Sequence, residues 1–380
     1  MRYHRDTATR RAGSLKKTAR GRWQATIRGA DRREHARTFD TKAQADGWLH
    51  EQLAAKNRGQ WIDPSAGQET FTEYAERWRA NQVHRPSTQQ QVESYLRLHV
   101  YPRIGHRPLA SFRNSDIQSF VKALAAGDAN HKPLAASTVE LLYTWVSTIF
   151  TAAVRDRVIA FSPCVKVRRP TIERPPVVPL PVETVKALID AVPERYRALI
   201  VLGAGTGVRI SEALALTNDR IDWLRKSMRV DRQLAGIESG HPVFGPLKDK
   251  QNKPRSIPLP ESVVDALSAH VAQFGLGPEG LIFTNPNGTP LRRNRVADMW
   301  RAAAEPLGIP TGDGYHQLRH FYASALIRAG ESVKVVQERL GHASAAMTLD
   351  IYSGLFPTDQ ERTRKAIDGV LMGDAQAEAR

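Results

Sequence analysis

The stretch LGHASAAMTLDIYSG at residues 340–354 carries a histidine, His342, ten positions before a tyrosine, Tyr352. Gly341 follows a helical pattern and is typical of a helix end. Small and β-branched residues fill the interval up to the tyrosine. A tyrosine in such a stretch is usually a half-buried packing residue, so a functional interpretation depends on the other polar groups of the chain.

A second polar group lies upstream in the stretch GTGVRISEALAL at residues 205–216. Its glycines superficially resemble a phosphate loop, but the preceding YRALIVL reads as a helix, and no Gly-Lys-Ser/Thr follows. Arg209 stands out in this apolar run, because a buried arginine needs an anionic partner. Glu212, three residues on along a helix, is one such partner; a bound phosphate is the other.

Two further stretches contribute polar side chains. In GYHQLRHFYASALIRAG, His316 and Arg319 are three residues apart and share a helix face. Alone, this spacing fits a satisfied core histidine as well as a functional one. The stretch GPLKDKQNKPRSIPLP reads as a hairpin turn that carries lysines, among them Lys248 and Lys250.

The combination is more specific than its parts. Within 144 positions the chain carries, in order, Arg209, His316, Arg319, His342 and Tyr352. Two guanidinium groups can hold the oxygens of one phosphate and offset charge in a transition state. A tyrosine hydroxyl can attack phosphorus if a histidine takes its proton, and a lysine can protonate the leaving sugar oxygen. The set predicts phosphodiester chemistry without a metal or another cofactor.

The charge balance supports a polyanionic substrate. Lys+Arg 55 against Asp+Glu 39 gives a net charge of +16 and a pI near 10.2, which favours nucleic acid. One cysteine, Cys164, excludes an internal disulfide and a Cys-rich metal site, and it favours a reducing cytoplasm. No apolar run is long enough to span a membrane.

Residues 1–65 read as a small sheet-plus-helix module with a basic surface. They carry fifteen Lys and Arg against seven Asp and Glu, so they contribute half of the chain's net positive charge. Residues 1–20 predict a disordered basic arm. GRWQATIRG and REHARTFD then alternate like strands around a polar turn, and Asp40 or Thr41 begins a helix. A solvated basic tail is the alternative interpretation of the charge.

The rest of the chain falls into three parts, consistent with the two or three domains expected for its length. Residues 70–156 predict a bundle of four helices, the second capped by Ser87. Prolines concentrated in residues 157–180 predict an extended linker that forms no core. Residues 181–380 predict a mixed α+β domain with one small antiparallel sheet, helical from Gly280 to its end.

The three polar stretches resemble the motifs of the tyrosine recombinase (phage integrase) family, especially the integrases of actinobacterial phages and integrative elements. GTGVRISEALAL resembles its first arginine motif, HQLRHFYASALI its His-x-x-Arg motif and LGHASAAMTLDIYSGL its His-to-Tyr motif. The resemblance implies Tyr352 as a nucleophile that forms a 3′-phosphotyrosine and frees a 5′-hydroxyl. It implies Arg209 and Arg319 as phosphate clamps, His316 as a general acid/base and His342 as a hydrogen-bond donor to the phosphate.

The resemblance implies two supporting residues as well. Glu212 is expected to support the pair of arginines. The family's lysine corresponds to Lys248 when the motif is read forward from FGPLKD, and to Lys250 when it is counted back from RSIPLP. We favour Lys248.

The resemblance also implies double-stranded DNA as the partner and site-specific recombination as the function. Residues 1–65 resemble an arm-type DNA-binding module. Residues 70–156 resemble the SAM-like core-binding domain that closes a clamp on DNA with the catalytic domain. The stretch TDQERTRKAIDGVLMG resembles a tail helix that docks on a neighbouring subunit, so a homotetramer on DNA is implied, with accessory directionality or DNA-bending proteins as further partners.

Two alternatives remain at this point. A type IB topoisomerase-like nicking-closing enzyme uses similar groups, but the basic module and the tail helix favour recombination. A non-catalytic DNA-binding protein on a decayed recombinase fold is disfavoured because all six polar groups are intact.

Overall fold

The computed structural model describes residues 13–29, 34–58, 61, 63, 66–127, 131–173, 175–248, 253–310, 312, 314–356 and 360–372. Within this part of the chain, no helix is both long and apolar enough to cross a membrane. The chain divides into two compact units, Met1–Glu173 and Arg174–Arg380.

The first unit begins with a three-stranded antiparallel sheet in the order β1-β2-β3: β1 (Gly13–Lys17), β2 (Trp23–Arg28) and β3 (Glu34–Phe39). Helix α1 (Lys42–Asn57) packs on this sheet, and Thr41 caps it by accepting the backbone N–H of Gln44. The alternation of β2 buries one face, as its sequence predicts. The core of this module consists of Ala25, Ile27, Ala45, Leu49 and Trp61.

One prediction for this module is wrong. The disordered arm was expected to extend to residue 20, but residues 13–17 form β1, because their backbone completes the ladder on the free edge of β2. Residues 1–12 of the predicted arm, and residues 30–31 of the predicted turn, lie outside the described residues.

Four helical segments follow in the first unit: α2 (Phe71–Ala80), α3 (Pro86–Tyr95) with a π-helical continuation over Leu96–Gly105, α4 (Asn114–Ala126) and α5 (Ala136–Arg155). Their core is rich in aromatic rings, with Phe71 and Phe150 5.3 Å apart between centroids. The predicted cap at Ser87 is wrong. Helix α3 begins at Pro86 after Arg85, because proline lacks an N–H and fits the first helical position.

The proline-rich stretch is only partly as expected. Val167, 7% exposed, belongs to the core of the helical bundle, and the Tyr143 hydroxyl donates to the Cys164 carbonyl at 2.9 Å. The prediction that this stretch contributes to no core is therefore wrong for its first half. The apolar residues between the prolines, rather than the prolines themselves, decide where it packs.

The described helices of the second unit are α6 (Val182–Ala191), α7 (Glu194–Thr206), α8 (Ile210–Ala213), α9 (Glu261–Phe274), α10 (Arg293–Ala304), α11 (His316–Arg328), α12 (Val333–Leu340), α13 (Ala345–Tyr352) and α14 (Gln360–Met372). Helix α7 lies in the core of this unit, with Leu199 and Leu202 fully buried. The Tyr315 hydroxyl donates to the Leu199 carbonyl at 3.2 Å and so fixes the start of α11 against α7.

The strands of the second unit are β4 (Ile221–Asp222), β5 (Ser227–Val230), β6 (Gln233–Glu238), β7 (His241–Gly245) and β8 (Arg255–Pro258). They form two sheets, β4-β5-β8 and β6-β7, so the prediction of one sheet is wrong. The chain leaves the first sheet at Asp231, whose carboxylate accepts from Arg220 Nε at 3.1 Å. Strand β6 then pairs with β7 alone.

The tail helix α14 has an apolar surface that the other described residues of its unit leave exposed. Ile367, Val370 and Leu371 are 54%, 82% and 76% exposed. The spacing of three and four residues puts them on one helix face.

Candidate active site

Arg209 stands at the start of α8, directly after the turn that ends α7. That turn requires Gly207, because its φ is 63° and a Cβ there would come within 2.5 Å of the Tyr322 ring. Glu212 accepts the Arg209 backbone N–H at 3.1 Å and its Nη1 at 3.0 Å. The Arg209 side chain is 26% exposed, so part of its guanidinium group remains accessible to a ligand.

The Glu212 carboxylate is buried and binds a second arginine. Arg255 Nη2 donates to Glu212 Oε2 at 2.6 Å, and Arg255 Nε donates to the Arg339 carbonyl at 3.0 Å. Burial would raise the pKa of Glu212, but Arg255 and Arg209 outweigh it and hold the pKa below its ordinary value. Glu212 was expected to support Arg209 and Arg319; its second hydrogen-bonded arginine is Arg255 instead.

Arg319 is almost fully buried, with 2% of its surface exposed. Its Nη1 donates to the Gly207 carbonyl at 2.9 Å. Its Nη2 is also buried and has no hydrogen-bond partner among the residues that the structure describes. Burial and the neighbouring Arg209 lower the pKa of Arg319 to about 9, which leaves it charged at neutral pH. A buried donor without a partner costs about 1–3 kcal/mol, which an anionic oxygen would offset.

Tyr352 ends α13 and is 1% exposed. Burial raises the pKa of its phenol to about 12, although the nearby Arg319 and Arg209 act in the opposite direction. Its hydroxyl lies 2.9 Å from Nδ1 of His320, a hydrogen-bond distance. The phenol is therefore protonated at neutral pH and is in contact with a group that can accept its proton.

His342 directly follows Gly341, which ends α12 with a φ of 65°. Its Nδ1 lies 2.8 Å from the hydroxyl of the fully buried Thr348. Burial, together with Arg319 and Arg209, lowers the pKa of His342 to about 3. The imidazole is therefore neutral, and its ring lies nearly parallel to that of Tyr352 at 6.3 Å.

His316 begins α11 and keeps access to solvent. Desolvation, His320 and the adjacent arginines lower the pKa of His316 to about 4, and Lys248 contributes to this shift. The Lys248 ammonium group therefore lies within electrostatic range of the histidine. Lys248 is exposed and follows the buried Leu247; Lys250 lies outside the described residues.

The lysine-bearing segment was expected to be a hairpin turn, and this prediction is wrong. It joins β7 to β8, and these strands belong to two different sheets. The structure brings five of the predicted residues into one cluster, with Lys248 beside it: Arg209, His316, Arg319, His342 and Tyr352.

Three residues of the site were missed in the sequence. His320 lies four residues after His316 and so one helical turn away on α11, a signal that could have been used. Arg255 and Thr348 gave no comparable signal. Arg255 reaches Glu212 across 43 positions, and Thr348 is one of several small polar residues before Tyr352.

Three family profiles match consecutive parts of the chain. The Phage integrase family matches residues 180–358, the Phage integrase N-terminal domain matches residues 11–58, and the Phage integrase N-terminal SAM-like domain matches residues 70–125. The tyrosine recombinase XerD of Mycobacterium tuberculosis is 30% identical over 263 residues, covering 64% of this chain and 79% of the relative. A putative prophage phiRv2 integrase of the same organism is 27% identical over 353 residues, covering 90% of this chain and 91% of the relative.

Solved structures share the fold. The Tn1549 transposon integrase in complex with a circular intermediate DNA aligns with a TM-score of 0.65 at 22% identity, over 80% of this chain and 99% of that one. A lambda integrase dimer bound to a COC' core site aligns with a TM-score of 0.58 at 16% identity, over 92% of this chain and 96% of that one. The predicted fold class is confirmed: a sheet-plus-helix module, a SAM-like helical bundle and a mixed α+β catalytic domain.

The fold and the family matches define an enzyme that breaks and joins DNA strands through a tyrosine. The chain belongs to the tyrosine recombinase, or phage integrase, family and is a site-specific DNA recombinase. The resemblance inferred from three sequence motifs is confirmed. The topoisomerase-like and non-catalytic alternatives are not favoured, because the relatives are integrases and tyrosine recombinases.

The buried pair between Glu212 and Arg255 can be tested by substitution. Arg255→Met keeps most of the side-chain volume but leaves Glu212 with one partner fewer. We expect the free energy of unfolding of the second unit to fall by about 3–5 kcal/mol, measured by urea denaturation. Lys226→Met breaks the exposed pair with Glu261 and should cost less than about 1 kcal/mol. Equal losses in the two variants would contradict this account.

The neutral state of His342 predicts a dependence of stability on pH. In the unfolded chain a histidine binds a proton below about pH 6.5, whereas folded His342 does so only near pH 3. The unfolded state therefore binds more protons in this window, and stability falls with falling pH, by about 1.4 kcal/mol per pH unit from this residue.

The same measurement on a variant isolates this contribution. His342→Gln cannot titrate, so its unfolding free energy should fall less steeply than that of the wild type as the pH is lowered. His241→Gln, an exposed position, should keep the wild-type slope. A His342→Gln slope equal to that of the wild type would refute the burial of a neutral imidazole.

Proposed function

We propose that this recombinase integrates or excises a mobile element through attack of Tyr352 on a DNA phosphate. The Tyr352 oxygen bonds to phosphorus, the 5′-oxygen leaves, and a 3′-phosphotyrosine links protein and DNA. A 5′-hydroxyl of another strand then reverses the step. The link conserves the energy of the phosphodiester bond, so rejoining needs no nucleotide cofactor. One observation carries this proposal. The buried Arg319 lies in the same cluster as Tyr352, and its Nη2 has no hydrogen-bond partner among the described residues.

Arg209 and Arg319 are proposed to hold the two non-bridging oxygens of the phosphate. Charge accumulates on these oxygens as the pentavalent centre forms, and guanidinium groups fixed in advance stabilise it. Loss of one such donor typically costs roughly 10²–10³ in rate. His342 is proposed to support the same oxygens: in the tautomer whose Nδ1 accepts from the Thr348 hydroxyl, the ring hydrogen lies on Nε2 and is available to the phosphate.

Proton transfers complete the proposed reaction. The 5′-oxygen is a poor leaving group until it gains a proton, and Lys248 is proposed as the acid. Its side chain is exposed, so it can approach a bound strand. His316, solvent-accessible and kept neutral, is proposed as a general acid/base beside it.

The modules are proposed to divide DNA binding among them. Residues 1–65 would bind arm-type DNA sites, and residues 70–156 would bind core sites. Residues 157–180 would link the core-binding domain to residues 181–380, which would catalyse strand cleavage and rejoining. A lambda integrase tetramer bound to a Holliday junction shares the fold with a TM-score of 0.57. By analogy we propose a homotetramer on two duplexes in the cytoplasm, with the apolar face of α14 docked on a neighbour, together with accessory directionality or DNA-bending proteins.

Covalent trapping tests the proposed function. Nicked duplexes tiled across the DNA flanking the gene should yield a denaturation-resistant protein–DNA adduct, because the fragment released beside the nick diffuses away. Tyr352→Phe should abolish the adduct, whereas Tyr196→Phe, on α7, should retain it. An adduct that persists in Tyr352→Phe would exclude this nucleophile. Binding of the duplexes without any adduct would point to a non-catalytic protein. Relaxation of supercoiled DNA without recombination of paired sites would point to a topoisomerase.

The choice of lysine has its own test on the trapped duplex. Lys248→Ala should slow cleavage by roughly 10²–10⁴. Sulfur in place of the 5′-bridging oxygen should restore the rate, because a thiolate leaves without a proton. Lys250→Ala is the matched control and should cleave at close to the wild-type rate. The reverse pattern would assign the acid to Lys250.

A further inference from the structure

The Tyr352 hydroxyl is in contact with a histidine to which no role has been given so far. Its oxygen lies 2.9 Å from His320 Nδ1, and the two rings meet edge to face with centroids 5.6 Å apart. His320 lies on α11, one turn after His316, in the same rigid helix that carries Arg319. The contact is thus built from a helix and not from a loop.

The other two histidines of the cluster have different neighbours. His342 Nδ1 is engaged by Thr348 at 2.8 Å, and its ring lies alongside the phenol ring at 11°. His316 meets the ring of His320, with centroids 4.9 Å apart. Among the described residues, the hydrogen-bond partner of the Tyr352 hydroxyl is His320 Nδ1. The three side chains His316, His320 and Tyr352 therefore form a row.

We propose that His320 is the catalytic base and acid for Tyr352, an inference that rests on the proposed function. In cleavage, the Tyr352 oxygen–phosphorus bond forms, the phosphorus–O5′ bond breaks, the phenolic proton moves to His320 Nδ1, and O5′ takes the proton that Lys248 is proposed to supply. In rejoining, the incoming 5′-hydroxyl gives its proton to Lys248 as its oxygen bonds to phosphorus, and the displaced Tyr352 oxygen takes its proton back from His320. His320 must carry its hydrogen on Nε2 for Nδ1 to accept.

Two physical features suit His320 to this exchange. A phenol that is buried holds its proton firmly, so attack needs an acceptor already within hydrogen-bond reach. The guanidinium groups of Arg319 and Arg209 favour the ionised form of Tyr352, so they assist the transfer of its proton to His320 during cleavage. His320 lies at hydrogen-bond distance from the same oxygen and can return the proton when that oxygen is displaced. The same group can therefore serve both directions of a reversible reaction.

The same contact permits an opposite interpretation, in which His320 merely holds Tyr352 in a buried position until DNA binds. The two interpretations predict changes of opposite sign. Removal of a base slows cleavage, whereas removal of a latch speeds it or leaves it unchanged. Single-turnover cleavage of the nicked duplex that traps the wild type separates them.

The experiment compares two substitutions. His320→Ala should reduce the cleavage rate by roughly 10²–10⁴, and imidazole added to the buffer should restore part of it by filling the space that the side chain leaves. His320→Asn places an amide oxygen near the position of Nδ1; it can accept the hydrogen bond but not the proton, so it should be slow and should not respond to imidazole. His241→Ala should match the wild type with and without imidazole.

Several results would overturn the inference. They are cleavage by His320→Ala at or above the wild-type rate, full activity of His320→Asn, or a loss in both variants that imidazole does not relieve in His320→Ala. Duplex binding and circular dichroism establish that both variants fold. A wild type that forms no adduct would instead overturn the proposed function, so the two failures are distinguishable.

Discussion

A carboxylate buried between two guanidinium groups holds the segments of the active site together. Glu212 fixes Arg209, which follows the end of α7, and Arg255, which begins β8. Arg255 in turn donates to the carbonyl of Arg339, near the end of α12. Because buried ions are costly unless paired and hydrogen-bonded, these groups have few alternative arrangements. One network therefore sets the relative positions of segments that are distant in the sequence.

Gly341 shows how closely this network is built. A Cβ at this position would lie 3.0 Å from Arg255 Nη1, and the backbone there has a positive φ, so only glycine fits without strain. The next residue is His342, so the position of this imidazole depends on the same arginine. The cluster as a whole has an excess of positive charge and neutral histidines in a site of low dielectric. In the proposed reaction, a DNA phosphodiester supplies the missing negative charge, and this charge increases as the pentavalent centre forms.

The sequence was most informative where structure and chemistry depend on local pattern. The helix boundaries around Gly341, the Thr41 cap and the alternation of β2 follow from neighbouring residues, and so does the His-x-x-Arg spacing on α11. Features that depend on distant partners were missed: Arg255 beside Glu212, the separation of β6 and β7 from the other sheet, and the packing of Val167 into the helical bundle. The contact of His320 with Tyr352 was missed for the same reason, because Tyr352 lies on another helix, although the position of His320 one helical turn after His316 was a signal that could have been used.

A structure of the DNA-bound assembly with a trapped covalent intermediate tests the central claim most directly. We expect an ester bond between the Tyr352 oxygen and a 3′-phosphate, with the guanidinium groups of Arg209 and Arg319 each within hydrogen-bond distance of a non-bridging oxygen of that phosphate. A Tyr352 ring that lies outside the pocket shared by these two arginines in every subunit would contradict it.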